Sequence, residues 1–189
     1  MKRFISFTLC ALFFSAFIYG QADILTKIDS IRYLGNEALN CNSVIWRIVA
    51  QKDVAIPGLI DLIADSAVTS MEYECKTNDP MKVGDIAFYV LDHIVSIPIT
   101  EVTSRQFDLF NSNGCQAWVY QYIDDNRLTC QKQVSKWYFE NKSKLVWQEY
   151  EQKYLTECRR ENNISGYYRM PYGKEKAKHV GASKVKVHK

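Results

Sequence analysis

His93 is the natural place to look for chemistry in this chain, because the other two histidines, His179 and His188, lie within the last eleven residues. An imidazole can act as a general base or draw the proton from a neighbouring thiol. The residues around His93 carry no matching partner signature: there is no Gly-x-Ser-x-Gly elbow, and no local motif marks one of the cysteines as a nucleophile. Asp85 and Asp92 stand seven residues apart, so on a helix they lie about 10 Å from each other along one face, too far to hold a single metal ion. Tyr89 between them turns the pair into a polar recognition strip, and Tyr73 lies in a long polar insertion just upstream. Asp124-Asp125-Asn126 lacks the alternating ligands, glycine and distal glutamate of a calcium loop and reads as a helix end. No Cys-x-x-Cys pair and no glycine-rich phosphate loop occurs. We therefore expect neither metal nor cofactor. The expected binding residues are Tyr73, Asp85, Tyr89 and Asp92, and the alternative is a small enzyme using His93 with a cysteine or an aspartate in a cleft.

The elements that must position these groups are legible from apolar spacing. In residues 53–65, Ile56, Leu59, Ile60 and Ile63 recur at i, i+3, i+4 and i+7, the pattern of a helix with one buried stripe. Asp53 is the expected N-cap, and Pro57 is acceptable because it falls in or near the first turn. In residues 83–94 the positions Val83, Ile86, Ala87, Val90, Leu91 and Ile94 continue the same rule without a miss. On that wheel Asp85 and Asp92 point away from the stripe, and His93 lies at its flank. Pro98 stops the element by forcing Ile97 out of helical geometry.

The two segments VAIPGLIDLIAD and VGDIAFYVLDHI together resemble the two helices of a HEAT repeat. The resemblance covers residues 53–97 as a single unit. It implies a helical-hairpin scaffold and, through that, a role in binding. The segment 66–82 exceeds the turn usual in that family, and no second copy at a comparable period is present. A loop of that length is expected to be either functional or mobile.

Further elements follow the same reasoning. Residues 22–39 read as a helix interrupted by Gly35-Asn36, and a short helix from about Ser43 carries Ile45, Ile48 and Val49 inward. Thr103 or Ser104 is expected to cap a helix through Phe107, Leu109 and Phe110, ahead of a turn at residues 111–114. Residues 115–125 carry β-branched and aromatic residues that suit a strand, yet Ala117, Tyr120, Gln121 and Asp124 also fit a helix, which the neighbouring helices favour; 127–141 and 144–160 read as helices, the last with Trp147, Tyr150, Tyr154 and Cys158 on one strip. The expected fold is all-α or mainly α, with helical hairpins packed in a HEAT-like or irregular bundle as a single domain.

The N-terminus has Met-Lys-Arg, an apolar run through Tyr19 and a small residue at position 20, the order of a secretory signal peptide over residues 1–20. The reading is then a helical domain over 21–165 and a basic disordered tail over 166–189, in an exported protein of the periplasm or extracellular space. Residues 21–170 are mildly acidic, whereas the rest of the tail carries six lysines and one acid and can attract anionic surfaces weakly. Export permits disulfides. Among the cysteines past residue 20, Cys41 with Cys75 and Cys115 with Cys130 are the favoured pairs, against an alternative in which all are buried and reduced. The function class left is a non-enzymatic protein that binds another protein or an envelope component, an immunity or inhibitor protein being one form.

Overall fold

A computed structural model describes residues 28, 40–73, 76, 79–107 and 117–172. The segment expected to be a signal peptide, Cys75, residues 108–116 with the expected turn at 111–114 and Cys115, residues 173–189 and, apart from Ile28, the helix expected over 22–39 lie outside the described residues. The described chain is mainly helical, with a small sheet. Helix α1 (Val44–Val49) leads through a 3-10 turn (Lys52–Val54) into α2 (Ile56–Leu62). Then come α3 (Val83–Asp92), α4 (Ile99–Thr103), the long α5 (Ala117–Asn141), strand β1 (Val146–Glu149), α6 (Glu157–Glu161) and strand β2 (Gly166–Arg169).

α2 and α3 pack directly on each other, and the stripes read from the sequence form their contact: Ile56, Leu59, Ile60, Ile63, Ile86, Ala87, Val90 and Leu91 are all at most 1 % exposed. Each large aliphatic side chain so buried contributes about 1.5–3 kcal/mol. α3 also touches α1 and α5, so it is enclosed on more than one side, and Gly84, Asp85 and Phe88 are buried along with its apolar stripe. Asp53 does not cap α2. It lies in the 3-10 turn, and α2 begins after Ala55 with Pro57 in its first turn.

The insertion 66–82 is stitched into the body at its base. Val68 pairs with Lys82 in an antiparallel bridge. Backbone N–H groups donate to carbonyls across its two arms: Thr69 to Met81 at 3.1 Å, Met81 to Met71 at 2.9 Å and Val83 to Ala67 at 2.9 Å. The Thr69 hydroxyl adds a bond to the Met81 carbonyl at 2.6 Å. Met71 and Met81 are fully buried and anchor the two arms in the core.

Further expectations are corrected. The helix near residue 103 ends there instead of starting: α4 stops at Thr103, and Ser104 closes it in the left-handed region with φ 54°. The helix expected over 144–160 is replaced by β1, a 3-10 turn (Gln152–Tyr154) and α6, because β1 finds an antiparallel partner in β2 with Trp147 opposite Tyr168. Non-local pairing overrides the local helical spacing there. Gly166 permits the pairing, since a Cβ at that position would come 2.1 Å from the Gln148 carbonyl oxygen. β2 in turn docks on the end of α3: the Tyr168 N–H donates to Ile94 and the Ser96 N–H to Tyr168, both at 2.8 Å. The folded body thus extends past the boundary expected at 166. Finally, Cys41 is joined to Cys158 and not to Cys75, while Cys130 is a buried free thiol. A link across 117 positions stabilises by up to about 4–5 kcal/mol in the chain-entropy account.

α5 consists of two helical halves that meet at a kink at Asn126 (φ −137°, ψ 28°), as the separate expectations for 115–125 and 127–141 have it. The Asn126 side-chain amide donates to the Tyr122 carbonyl at 3.1 Å and so closes the last turn of the first half. The break lies one residue past the Asp-Asp pair that reads as a helix end.

Gly84 marks a close approach of α3 to the C-terminal end of α2. An added Cβ would lie 2.3 Å from the Ile63 carbonyl oxygen and 2.6 Å from the Arg127 guanidinium. Gly84→Ala is expected to lower unfolding stability by about 2–4 kcal/mol, since the clash is with backbone and a fixed guanidinium. Urea unfolding measures it, and a loss below about 0.5 kcal/mol, the range of an ordinary surface substitution, would contradict the packing described.

Candidate functional site

Helix α3 carries polar groups at both ends, and the insertion reaches each of them. At the N-terminal end Asp85 is fully buried. One carboxylate oxygen accepts from Arg127 at 2.7 Å; the other accepts from Lys76 at 2.6 Å and from the Lys82 backbone N–H at 2.9 Å. The last bond is the returning half of a capping box, with Asp85 at the third helical position. Asp124 on α5 accepts from Lys76 at 2.6 Å, Lys82 at 2.8 Å and Arg127. Arg127 also donates to the Ile63 and Asp65 carbonyls at the C-terminal end of α2, each at 3.4 Å. A cation there satisfies carbonyls that have no partner within the helix and sits at the negative end of its dipole.

Three cations and two carboxylates therefore bind four elements together. Desolvation works against the charge on Asp124, yet hydrogen bonds from Lys76, Lys82 and Arg127 outweigh it and hold the carboxyl at about 2. A buried carboxylate survives only when paired and hydrogen-bonded in this manner. Asp85 is thus a structural group: it is withdrawn from the surface strip on which the helical wheel had placed it, because α5 and the insertion cover that side of α3.

At the C-terminal end the other three residues expected to form the site do come together. Tyr73 of the insertion stacks edge-on against Tyr89, with ring centroids 6.0 Å apart, and against Tyr120 of α5 at 5.5 Å. Asp92 is exposed beside them, and its charge acts on Tyr89, Tyr120 and Tyr150. Burial first, then Tyr73 and Asp92 against the opposing charge of Arg159, pushes the Tyr89 hydroxyl up to about 12. Crowding raises the Asp92 carboxyl to about 6, and its access to solvent offsets part of that desolvation. Tyr73 and Tyr89 are half-buried, so their rings are fixed by neighbours while an edge remains at the surface.

His93 backs this surface. Its ring lies 4.7 Å from Tyr89 and 5.5 Å from Trp46, and Arg159 Nη2 stands 3.2 Å from its Nδ1. A guanidinium has donors only, so Nδ1 accepts and the ring proton of the neutral form sits on Nε2. Burial, then the Arg159 charge, lowers the imidazole to about 4. Arg159 is itself held over the Tyr150 ring at 4.0 Å. A histidine in this state is a poor general base at neutral pH. The described thiols offer it no nucleophile: Cys41 and Cys158 are bonded to each other, and burial pushes Cys130 to about 11. Among the described residues no group of three or more His, Cys, Asp or Glu gathers as a metal site.

Arg159 and Tyr150 border this surface and the buried Tyr120 backs it, and local spacing marks none of them as a site residue, nor Lys76 and Arg127 below it. Their positions depend on long-range packing. The one local trace was the Asp-Asp-Asn run at the break in α5.

Two outcomes follow. Because the folded His93 binds protons less readily than an unfolded histidine, its contribution to stability is whole above about 6.5 and is lost as pH falls towards about 4. Asp92 acts in the opposite sense between 3.8 and about 6. Proton NMR of the His93 ring is expected to show a midpoint near 4, and a midpoint near 6.5 would contradict the environment described. Arg127→Met, which leaves Asp85 and Asp124 short of a partner, is expected to cost about 3–5 kcal/mol in urea unfolding, and a loss under about 1 kcal/mol would place the cluster among weak surface pairs. No protein-family model, curated protein or solved structure matches this chain.

Proposed function

We propose that this is an exported, non-enzymatic helical protein that binds another protein or an envelope component through the surface of Tyr73, Tyr89 and Asp92. The observation that carries the reading is the anchored insertion. An excursion longer than a hairpin of helices requires is fixed at its base by a backbone ladder and two buried methionines, and it delivers Tyr73 against Tyr89. Tyrosines held rigid by neighbours suit recognition, since they present large amphipathic contact area with little conformational entropy left to lose. Asp92 and Arg159 supply charges of both signs at its edge, which select among partners. The α2–α3 pair serves as a HEAT-like scaffold under this surface, in a single domain. The Cys41–Cys158 disulfide fits an oxidising compartment reached by way of a cleaved segment 1–20. An immunity or inhibitor protein is the specific form that this combination of a small rigid body and one elaborated surface suits.

A photoreactive phenylalanine analogue placed at Tyr73 or at Asp92, in cells that make the protein naturally, is expected to give the same discrete cross-linked species from both positions. The same probe at Glu140, exposed at the far end of α5, is expected to give none. Equal labelling at all three positions, or no adduct at Tyr73 and Asp92, would overturn the assignment of this surface.

A further inference from the structure

A second concave surface lies on α5, away from the residues just described. A cavity of about 370 Å³ is lined by Gln106, Phe107, Trp118, Gln121, Tyr122 and Asp125. Its volume falls within the range of about 300–1,000 Å³ found for small-molecule sites. Four of the six residues come from one helix at positions i, i+3, i+4 and i+7, so a single face of the first half of α5 forms the floor.

The walls are aromatic and differ in orientation. The Phe107 and Tyr122 rings meet edge to face, with centroids 5.5 Å apart and planes at 73°. The Tyr122 hydroxyl donates to the Gln133 side chain at 3.2 Å, which fixes that ring. Trp118 is 57 % exposed, a large apolar surface left open to solvent. At the rim, Gln121 holds the Asp125 carboxylate through long contacts of 3.3 and 3.4 Å, which leave most of that carboxylate's capacity unused.

We propose that this cavity is a binding site for an alkylammonium cation of the choline type. Aromatic faces carry negative potential and attract a weakly hydrated organic cation, most strongly at tryptophan. Asp125 adds a full negative charge, and among the described residues no Lys, Arg or His lines the cavity to oppose it. A hard metal ion would favour several carboxylate ligands, and among the described lining residues Asp125 is the one carboxylate, beside the Gln106 and Gln121 amides and three rings. An anion would meet repulsion from both the carboxylate and the ring faces. A neutral apolar ligand would use the rings but leave Asp125 without a role. The same headgroup chemistry occurs in a free solute and in a lipid, and the two are separated by experiment.

The Trp118 indole N–H resonance of the full chain reports the site. Titration with choline is expected to shift it saturably, whereas the neutral isostere 3,3-dimethylbutan-1-ol is expected to bind at least about tenfold more weakly, the factor corresponding to a cation–π and carboxylate contribution. Asp125→Asn is expected to weaken choline binding about three- to tenfold while leaving the rings in place. Trp118→Ala, read at the Gln121 side-chain amide, is expected to remove binding. Cosedimentation with phosphatidylcholine vesicles, competed by free choline, would assign the source to a lipid headgroup; binding of choline without cosedimentation would assign it to a solute. Equal binding of choline and its neutral isostere, no saturable shift with either, or an unchanged affinity in Asp125→Asn would overturn the proposal.

Discussion

The rest of the structure depends on the burial of Asp85. A carboxylate without solvent must be met by cations, and meeting it draws Lys76 from the insertion and Arg127 from α5 to the N-terminal end of α3. Asp124 then balances part of the gathered positive charge, and Lys82 closes the group. Replacing such a network by apolar residues can be neutral or stabilising, so its presence is poor evidence of stability for its own sake. What it does supply is register. The insertion cannot slide along α3, nor α5 rotate, without leaving a charge unpaired in the interior.

That register determines which residues meet at the other end of α3. Tyr73 lies three positions before Lys76, and the Lys76 N–H donates to the Tyr73 carbonyl at 2.8 Å. Fixing Lys76 on Asp85 and Asp124 therefore restricts where the Tyr73 ring can go. Tyr120 is one helical turn before Asp124 on α5, so the same charges set its position against Tyr73. The cluster is thus a support for the surface and takes no part in it. The disulfide acts from the opposite side: Cys158 precedes Arg159, whose guanidinium holds the His93 ring, and Asn162 ties the Cys41 and Cys158 carbonyls together at 2.7 and 2.9 Å.

The α2 and α3 stripes were legible because a helix with one buried face writes its contact into local spacing, and every position of both stripes is buried. The same rule misplaced Asp85. Periodicity tells which residues share a face, yet it cannot tell that a second and third element will cover the opposite face. The strand at Val146–Glu149 was hidden for a related reason: Trp147, Tyr150 and Tyr154 fall at helical spacing by coincidence, and the partner that makes a strand favourable lies twenty residues away. In the insertion, Met71 and Met81 were read within a polar stretch, whereas they are its anchors. Tyr73, Tyr89 and Asp92 group from the sequence because two lie on one helix face and the third in the long excursion beside it; Arg159 and Tyr150 arrive through β1 and the disulfide, which no local pattern announces.

Native-state hydrogen exchange reads whether the insertion opens by itself or together with the body. With the insertion locked in register by the buried charges, the Thr69 and Met81 amides, bonded across its base, are expected to exchange with the same opening free energy as the Val90 and Leu91 amides in the middle of α3. Exchange of Thr69 and Met81 at the rate of an unprotected loop, while Val90 and Leu91 stay protected, would contradict that lock.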